Sequence, residues 1–290
     1  MVPYWGDPGY LRATVRSVLA QSDPEWRLTV VDDANPDPWA GDWLASLADD
    51  RITYRRNPTN QGISVTFRQC VDLATAELVA VPGSDDLLLP DYVRVVKEAH
   101  RRFPGADIIQ PGVRVIDEDG RPSRPLADVV KQRLVRPRGH GAFVLSGERL
   151  ATSLLHGDWL YWPSLVFRRE AVQRTPFRPG LPIILDLALV LDMVLDGSEL
   201  VVEPVECFAY RRHTASLSSV KLLDGSRFAG EREYFELAAR LMAGKGWSRA
   251  SRAARLHATS RLYAATLLPT ALRSRDRSAV AALLRHAVRP

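Results

Sequence analysis

The sequence predicts an α/β fold: a doubly wound, mostly parallel sheet followed by a helical region at the C-terminal end. Three observations carry that expectation. Short β-prone runs alternate with stretches of helical spacing through residues 1–110. Two of those runs end in paired acids, Asp32-Asp33 and Asp85-Asp86. From Phe228 onward the pattern is helical, with breaks expected at Gly244 and Gly246 and again near Pro269. Ligands of such sheets bind beyond the carboxyl ends of the strands, so both acidic pairs fall where a site is expected.

The elements follow in order. Residues 10–21 place apolar groups at 11, 15, 18 and 19, which is helical spacing. Residues 26–31 are a β-prone run closing on Asp32-Asp33. A helix over 40–48 and a short strand over 51–55 come next. The loop Asn57-Pro58-Thr59-Asn60-Gln61-Gly62 precedes a helix over 63–75. Residues 77–82 are an apolar strand leading through Pro82-Gly83-Ser84 to Asp85-Asp86. Pro90-Asp91 is a helix-start signal for 91–102. Residues 106–110 return to strand, and Val113–Ile116 is strand-like before the turn Asp117-Glu118-Asp119-Gly120. The Pro- and Arg-rich stretch 121–138 reads as an irregular loop. A helix around 147–155, a strand around 164–168, a mostly buried helix over 183–195 and a strand over 200–209 complete the pattern.

Composition is that of a globular chain. It has 290 residues, 46% hydrophobic and 25% charged. Two cysteines, Cys70 and Cys207, give no disulfide framework and no metal cluster, which fits a reducing cytoplasm. Met1–Trp5 has neither a basic nor an apolar leader region, so no signal peptide is expected. No uncharged apolar run approaches ~18 residues, so no bilayer-spanning helix is expected. The net charge of +5 is uneven: Leu241–Pro290 carries ten Lys or Arg against Asp276, net +9, leaving about −4 on residues 1–240. Such a tail suits an anionic membrane surface or a solvated helical cap. Nucleic acid is not expected, because no binding motif or interleaved basic-aromatic platform accompanies it.

Adjacent carboxylates at a strand exit are hard oxygen ligands for a divalent cation, and a cation there would serve a phosphorylated ligand. Asp32 and Asp33 can accept from a base N–H or a ribose hydroxyl, or cap a turn. Gly62 allows close backbone approach, and the helix behind it favours an anion at its N-terminus.

These stretches, with Pro3-Tyr4, Ser17–Ser22, Ser84–Pro90, Trp162–Arg169 and Tyr210–His213, resemble in order and spacing the family 2 glycosyltransferases, over roughly residues 1–220. The resemblance implies a GT-A, Rossmann-like fold and an inverting, metal-dependent transfer of one sugar from a UDP- or dTDP-sugar to an acceptor hydroxyl. It places Pro3, Tyr4, Asp32, Asp33, Asn60, Gly62, Arg68, Ser84 and Asp85 around the donor, with Tyr4 beside the base. Asp85, Asp86 and His213 become the ligands of Mg²⁺ or Mn²⁺. The usual Asp-x-Asp motif has Gly83 in place of its first acid. Asp186 becomes the base that takes the acceptor proton, with Asp192 as the alternative, and Leu185 replaces the first acid of that pair. Asp158, Trp159 and Trp162 line the acceptor cleft.

The implied organisation is a donor-binding half over 1–110, an acceptor-binding and catalytic half over 111–222, and a basic helical region over 223–290. The expected partners are a nucleotide-sugar donor, a glycan, lipid-linked or small-molecule acceptor, and an anionic membrane touched peripherally by the basic C-terminus. The expected location is cytoplasmic or at the inner membrane face, and the expected role is surface polysaccharide or glycoconjugate synthesis. The competing reading is a non-catalytic nucleotide-sugar or glycan-binding protein on the same scaffold.

Overall fold

The computed structural model describes residues 1–178, 184–212, 226–273 and 277–288. The chain begins with three parallel strands, β1 (Val2–Tyr4), β2 (Leu28–Asp32) and β3 (Ile52–Arg56), in the order β1-β2-β3. Helices α1 (Pro8–Leu19) and α2 (Trp39–Ser46) make the crossovers. Asp7 starts α1 by accepting from Tyr10 N at 3.0 Å, and Pro8 occupies the first turn, where a missing N–H costs nothing.

Helix α3 (Ile63–Leu73) leads into a second sheet. Its strands are β4 (Leu78–Ala80), β5 (Leu87–Leu88), β6 (Ile108–Ile116), β7 (Phe143–Leu145), β8 (Val166–Arg168) and β9 (Leu200–Arg211). Their order is β4-β8-β6-β9-β5, with β7 also on β9. β6 and β9 are parallel, and the remaining pairs of this sheet are antiparallel. The Met1 nitrogen donates to Ala80 O at 3.0 Å, which sets β1 beside β4 and brings the two sheets together. The α/β architecture is as expected, and its sheet is mixed.

β6 is one long strand rather than two short ones. It carries a register shift at Gly112, where an added Cβ would lie 2.5 Å from Pro204 O. Glycine is what lets the two backbones approach there.

Helices α4 (Tyr92–Arg102), α6 (Gly147–His156), α7 (Arg169–Arg174) and α8 (Leu185–Leu195) cover the sheet. α8 is buried on nearly every side, as its almost wholly apolar sequence requires. Two apolar clusters form the core. Phe67, Leu150, Trp159, Phe167 and Val190 belong to one. Tyr4, Leu11, Val15, Val30 and Phe208 belong to the other. Cys70 and Cys207 are buried and unbridged, and burial pushes both thiols up to about 12.

Two expectations are corrected. Residues 121–138 are not wholly irregular: α5 (Leu126–Val130) runs into a π-helical turn over Lys131–Val135. The C-terminal helices are α9 (Ser226–Gly244), α10 (Ser248–Leu256), α11 (Ala258–Arg273) and α12 (Arg277–Val288). α11 runs past Pro269, and the break falls instead at His257, whose φ is +43°.

α9 and α10 dock on the main body. Tyr234, Ala238 and Met242 join the core of α6 and α8. Glu148 accepts from Arg249 N at 2.6 Å, placing a carboxylate at the positive end of α10. No described helix is long and apolar enough to cross a membrane.

Candidate functional site

The loop between β4 and β5 carries Asp85 and Asp86, and two neighbours hold it. β5 pairs antiparallel with β9, Leu87 opposite Ala209, which brings Arg211 onto the loop. Arg211 N donates to Asp86 Oδ1 at 2.9 Å, and its Nε donates to Asp85 O at 2.7 Å. The same guanidinium donates through Nη1 to Asp117 O (3.1 Å) and Glu118 O (2.9 Å) and lies 4.8 Å from the Tyr10 ring centre. From the α1 side, Thr14 Oγ1 lies 2.7 Å from Asp86 O and 3.0 Å from Ser84 O.

Asp86 is 1% exposed, whereas Asp85 is half-buried. Burial and then the neighbouring Asp85 charge push the Asp86 carboxyl well above its ordinary value, against the N–H donors of Arg211 and Gly83. Gly83 lies beneath both acids. An added Cβ would meet Asp85 Oδ1 at 2.5 Å and Asp86 Oδ2 at 2.8 Å. The substitution of glycine for the motif's first acid therefore has a steric reason: the two carboxylates converge over position 83. Two converging carboxyls supply hard oxygen donors that could hold a divalent cation.

The first acidic pair is turned inward. Asp32 is 0% exposed and accepts from Tyr54 Oη (2.6 Å), Arg56 Nη1 (2.6 Å) and Asn35 N (2.7 Å). Asp33 accepts from Asn57 Nδ2 (2.8 Å), Gln61 N (2.9 Å) and Gly62 N (2.8 Å). Burial raises the Asp33 carboxyl, but its hydrogen bonds outweigh that and hold it below the ordinary value. In this structure both acids are internal ties rather than open nucleotide acceptors. Asp33 orders the loop over 57–62, where Gly62 takes φ +83° and Asn60 Oδ1 accepts from Gly62 N at 3.1 Å.

Tyr4 is likewise buried, with its ring edge-on to Trp39, so it offers no face to a base. Pro3 is buried beside it in β1. Arg68 donates to Thr175 O (3.1 Å) and Gln173 O (3.3 Å) and pairs with Asp72, tying α3 to the end of α7.

A charged network that the sequence reading missed extends from the next residue of β9. Arg212 pairs with buried Asp128 at 3.0 and 3.1 Å, and Asp128 accepts from Tyr161 Oη at 2.9 Å. Lys131 Nζ lies 4.2 Å from the Tyr161 ring centre and donates to Leu160 O. Burial lowers the Lys131 ammonium, and the charges of Asp158, Asp128 and Asp186 act on it in the opposite sense. Burial pushes Tyr210 up to about 12, with Arg212 acting against the rise and Asp86, Asp85 and Asp128 adding to it. Asp186, at the start of α8, accepts from Leu187 N at 2.8 Å, and its charge acts on Lys131.

Asp192 is already paired, with Arg178 Nε at 2.7 Å. Trp159 is 1% exposed and donates to Ser153 Oγ, so its ring is core and lines no cleft. Trp162 packs on Phe67, with ring centres 4.6 Å apart. Asp158 accepts from Leu160 N at 3.0 Å. His213 lies outside the described residues. The helical spacing of Leu126, Val129 and Val130 after Pro125 is the signal that would have revealed α5, and with it Asp128.

A second cluster with the capacity to coordinate a divalent metal sits on the C-terminal helices. Ligand atoms of Glu231, His257 and His286 all lie within 4.8 Å of one another.

Residues 1–154 match the family model described as Glycosyl transferase family 2. An uncharacterized protein of Mycobacterium tuberculosis is 27% identical over 241 residues, covering 80% of this chain and 72% of that protein. The succinoglycan biosynthesis protein ExoW of Rhizobium meliloti is 36% identical over 109 residues, covering 36% of this chain and 34% of ExoW. The crystal structure of Staphylococcus aureus TarS 1–349 in complex with UDP-GlcNAc superposes with a TM-score of 0.67 at 13% identity, covering 99% of this chain and 80% of that one. That likeness establishes a shared fold.

Proposed function

This chain belongs to glycosyl transferase family 2, and on that premise we propose that it moves one sugar from a UDP- or dTDP-linked donor to an acceptor hydroxyl, with inversion, in surface polysaccharide or glycoconjugate synthesis. The observation that carries the reading is the end of β9. There Arg211 latches the Asp85–Asp86 loop, while Arg212, the residue just past the strand, pairs with buried Asp128. The UDP-GlcNAc held by TarS and the succinoglycan role in ExoW's name support the donor class and the product class.

Asp85, with Asp86 behind it, would hold Mg²⁺ or Mn²⁺, which when bound offsets charge on the departing diphosphate. The loop over 57–62, ordered by Asp33, presents backbone to the donor at the start of α3. Asp186 takes the proton from the acceptor oxygen as that oxygen attacks the anomeric carbon. The carbon–oxygen bond to the diphosphate breaks, and its electron pair leaves with the diphosphate. Arg212 holds Asp128 in place.

The acceptor class and a peripheral membrane contact are parts of the same proposal. Arg249, Arg252 and Arg255 form an exposed face of α10 opposite buried Ala250, Ala253 and Ala254, which suits an anionic surface. Unchanged vesicle binding after replacing all three arginines with glutamine would remove that part.

A thermal-shift screen of nucleotide sugars with and without Mn²⁺ tests the whole, because a ligand of the folded state raises Tm. Asp186→Asn is expected to cut turnover by about 10²–10⁴-fold with donor binding kept. Donor binding without turnover in the wild type, across a broad acceptor panel, would favour the non-catalytic module instead.

A further inference from the structure

We propose that Glu231, His257 and His286 form a site for a divalent transition ion of the zinc class, distinct from the Asp85–Asp86 loop, which ties α9, the α10–α11 junction and α12 together. Two imidazoles and one carboxylate are a donor set suited to such an ion, whereas an all-oxygen site suits Mg²⁺.

The geometry is close to what an ion needs. Glu231 Oε2 and His257 Nε2 are 3.8 Å apart. Two ligands each ~2.0–2.1 Å from one ion can be at most about 4.2 Å apart, so this pair already spans it. His286 is reached through Ser260, whose Oγ lies 2.6 Å from Glu231 Oε2 and 2.9 Å from His286 Nε2. That hydroxyl bridges two of the three ligands. An arriving ion either displaces it or takes it as a fourth ligand.

The site is buried and partly preset. Glu231, His257 and His286 are 8%, 7% and 1% exposed. The His257 ring stacks on Phe235, 3.5 Å between centres, and its backbone sits in the left-handed region. A cavity of about 290 Å³ bordered by Arg232, Phe235, His257, Arg261 and His286 gives an entry path. Arg232 Nη1 stands 3.5 Å from His286 Nδ1. Ligation through Nε2 places the ring proton on Nδ1 and turns that guanidinium toward solvent.

The test uses the full chain, stripped with chelator and titrated with Zn²⁺ by calorimetry and with Co²⁺ by visible absorption. The expected result is one tight Zn²⁺ per chain in the wild type and in Asp85→Asn, with a four- or five-coordinate Co²⁺ spectrum. His257→Asn and His286→Asn should each weaken binding at least about 100-fold, the upper end of what losing an outer-shell partner alone brings. Circular dichroism checks their fold. Should those variants not fold, the Co²⁺-loaded wild type must still show two hyperfine-shifted imidazole N–H resonances. Absence of saturable binding to the wild type, loss of the site in Asp85→Asn, unchanged affinity in both folded histidine variants, or no shifted imidazole resonance would each overturn the proposal.

Discussion

Replacing Arg211 with methionine isolates the latch on the acidic loop. Methionine keeps an apolar stem over Tyr10 but removes every side-chain donor. Three backbone carbonyls, those of Asp85, Asp117 and Glu118, lose a cationic partner. A hydrogen bond to a charged group contributes about 1.5–3 kcal/mol net, and carbonyls that regain water recover part of it. A total loss of about 3–5 kcal/mol follows. With an unfolding entropy of about 2.1 cal/mol/K per residue, a chain of this length should lose about 5–8 °C in Tm. Because the lost contacts hold the Asp85–Asp86 loop, half-saturation by Mn²⁺ in the presence of donor should rise as well. Scanning fluorimetry measures the first effect and a metal titration of turnover the second. Arg211→Lys should recover only part of each, since one ammonium cannot fill the guanidinium's fork. A Tm shift below about 1 °C together with an unchanged Mn²⁺ response would refute the latch.

Other expectations follow from the same geometry. Gly83→Ala should destabilise by about 1–3 kcal/mol and blunt the Mn²⁺ response, because its Cβ pushes on both acids; a neutral result in denaturant melts would mean the loop yields freely. Asp33 has a folded pKa below its unfolded value near ~3.9, so its stabilisation is present above that pH and fades as pH falls through the folded value. Asp33→Asn should flatten the acid limb of the stability profile, and hydrogen exchange should quicken at Gln61 and Gly62. Arg68→Ala should lower Tm while leaving donor affinity unchanged, since the guanidinium serves Thr175, Gln173 and Asp72; weaker donor binding in isothermal titration would return it to the diphosphate.

Much of the fold was legible because burial leaves a periodic trace. Leu11, Val15 and Val18 mark the inner face of α1, and the apolar run at 185–195 marks a helix enclosed on most sides. The acidic pairs were legible as strand ends, but their directions were not. Adjacent residues of an extended chain point oppositely, and nothing local says that Asp32 would meet Tyr54 and Arg56 while Asp85 turns outward. The Asp128 network was hidden because prolines and arginines at 121–138 mask a five-residue helix, and its partner Arg212 lies 84 positions away. The Glu231–His257–His286 cluster was hidden for a related reason. Its members come from three elements with no short spacing to betray them.

One strand end divides its charges by pleat alone. Side chains at the end of β9 alternate between faces, so Arg211 falls to the Asp85–Asp86 loop while Arg212, just past the strand, falls to Asp128. A one-residue slip there would move both guanidiniums to the opposite faces and break the Arg211 bonds to the acidic loop and the Arg212–Asp128 pair in a single step. Conservative side-chain swaps at these positions can act one at a time, but an insertion or deletion just upstream cannot. The end of β9 is therefore more sensitive to a change in residue count than to a single change in residue type.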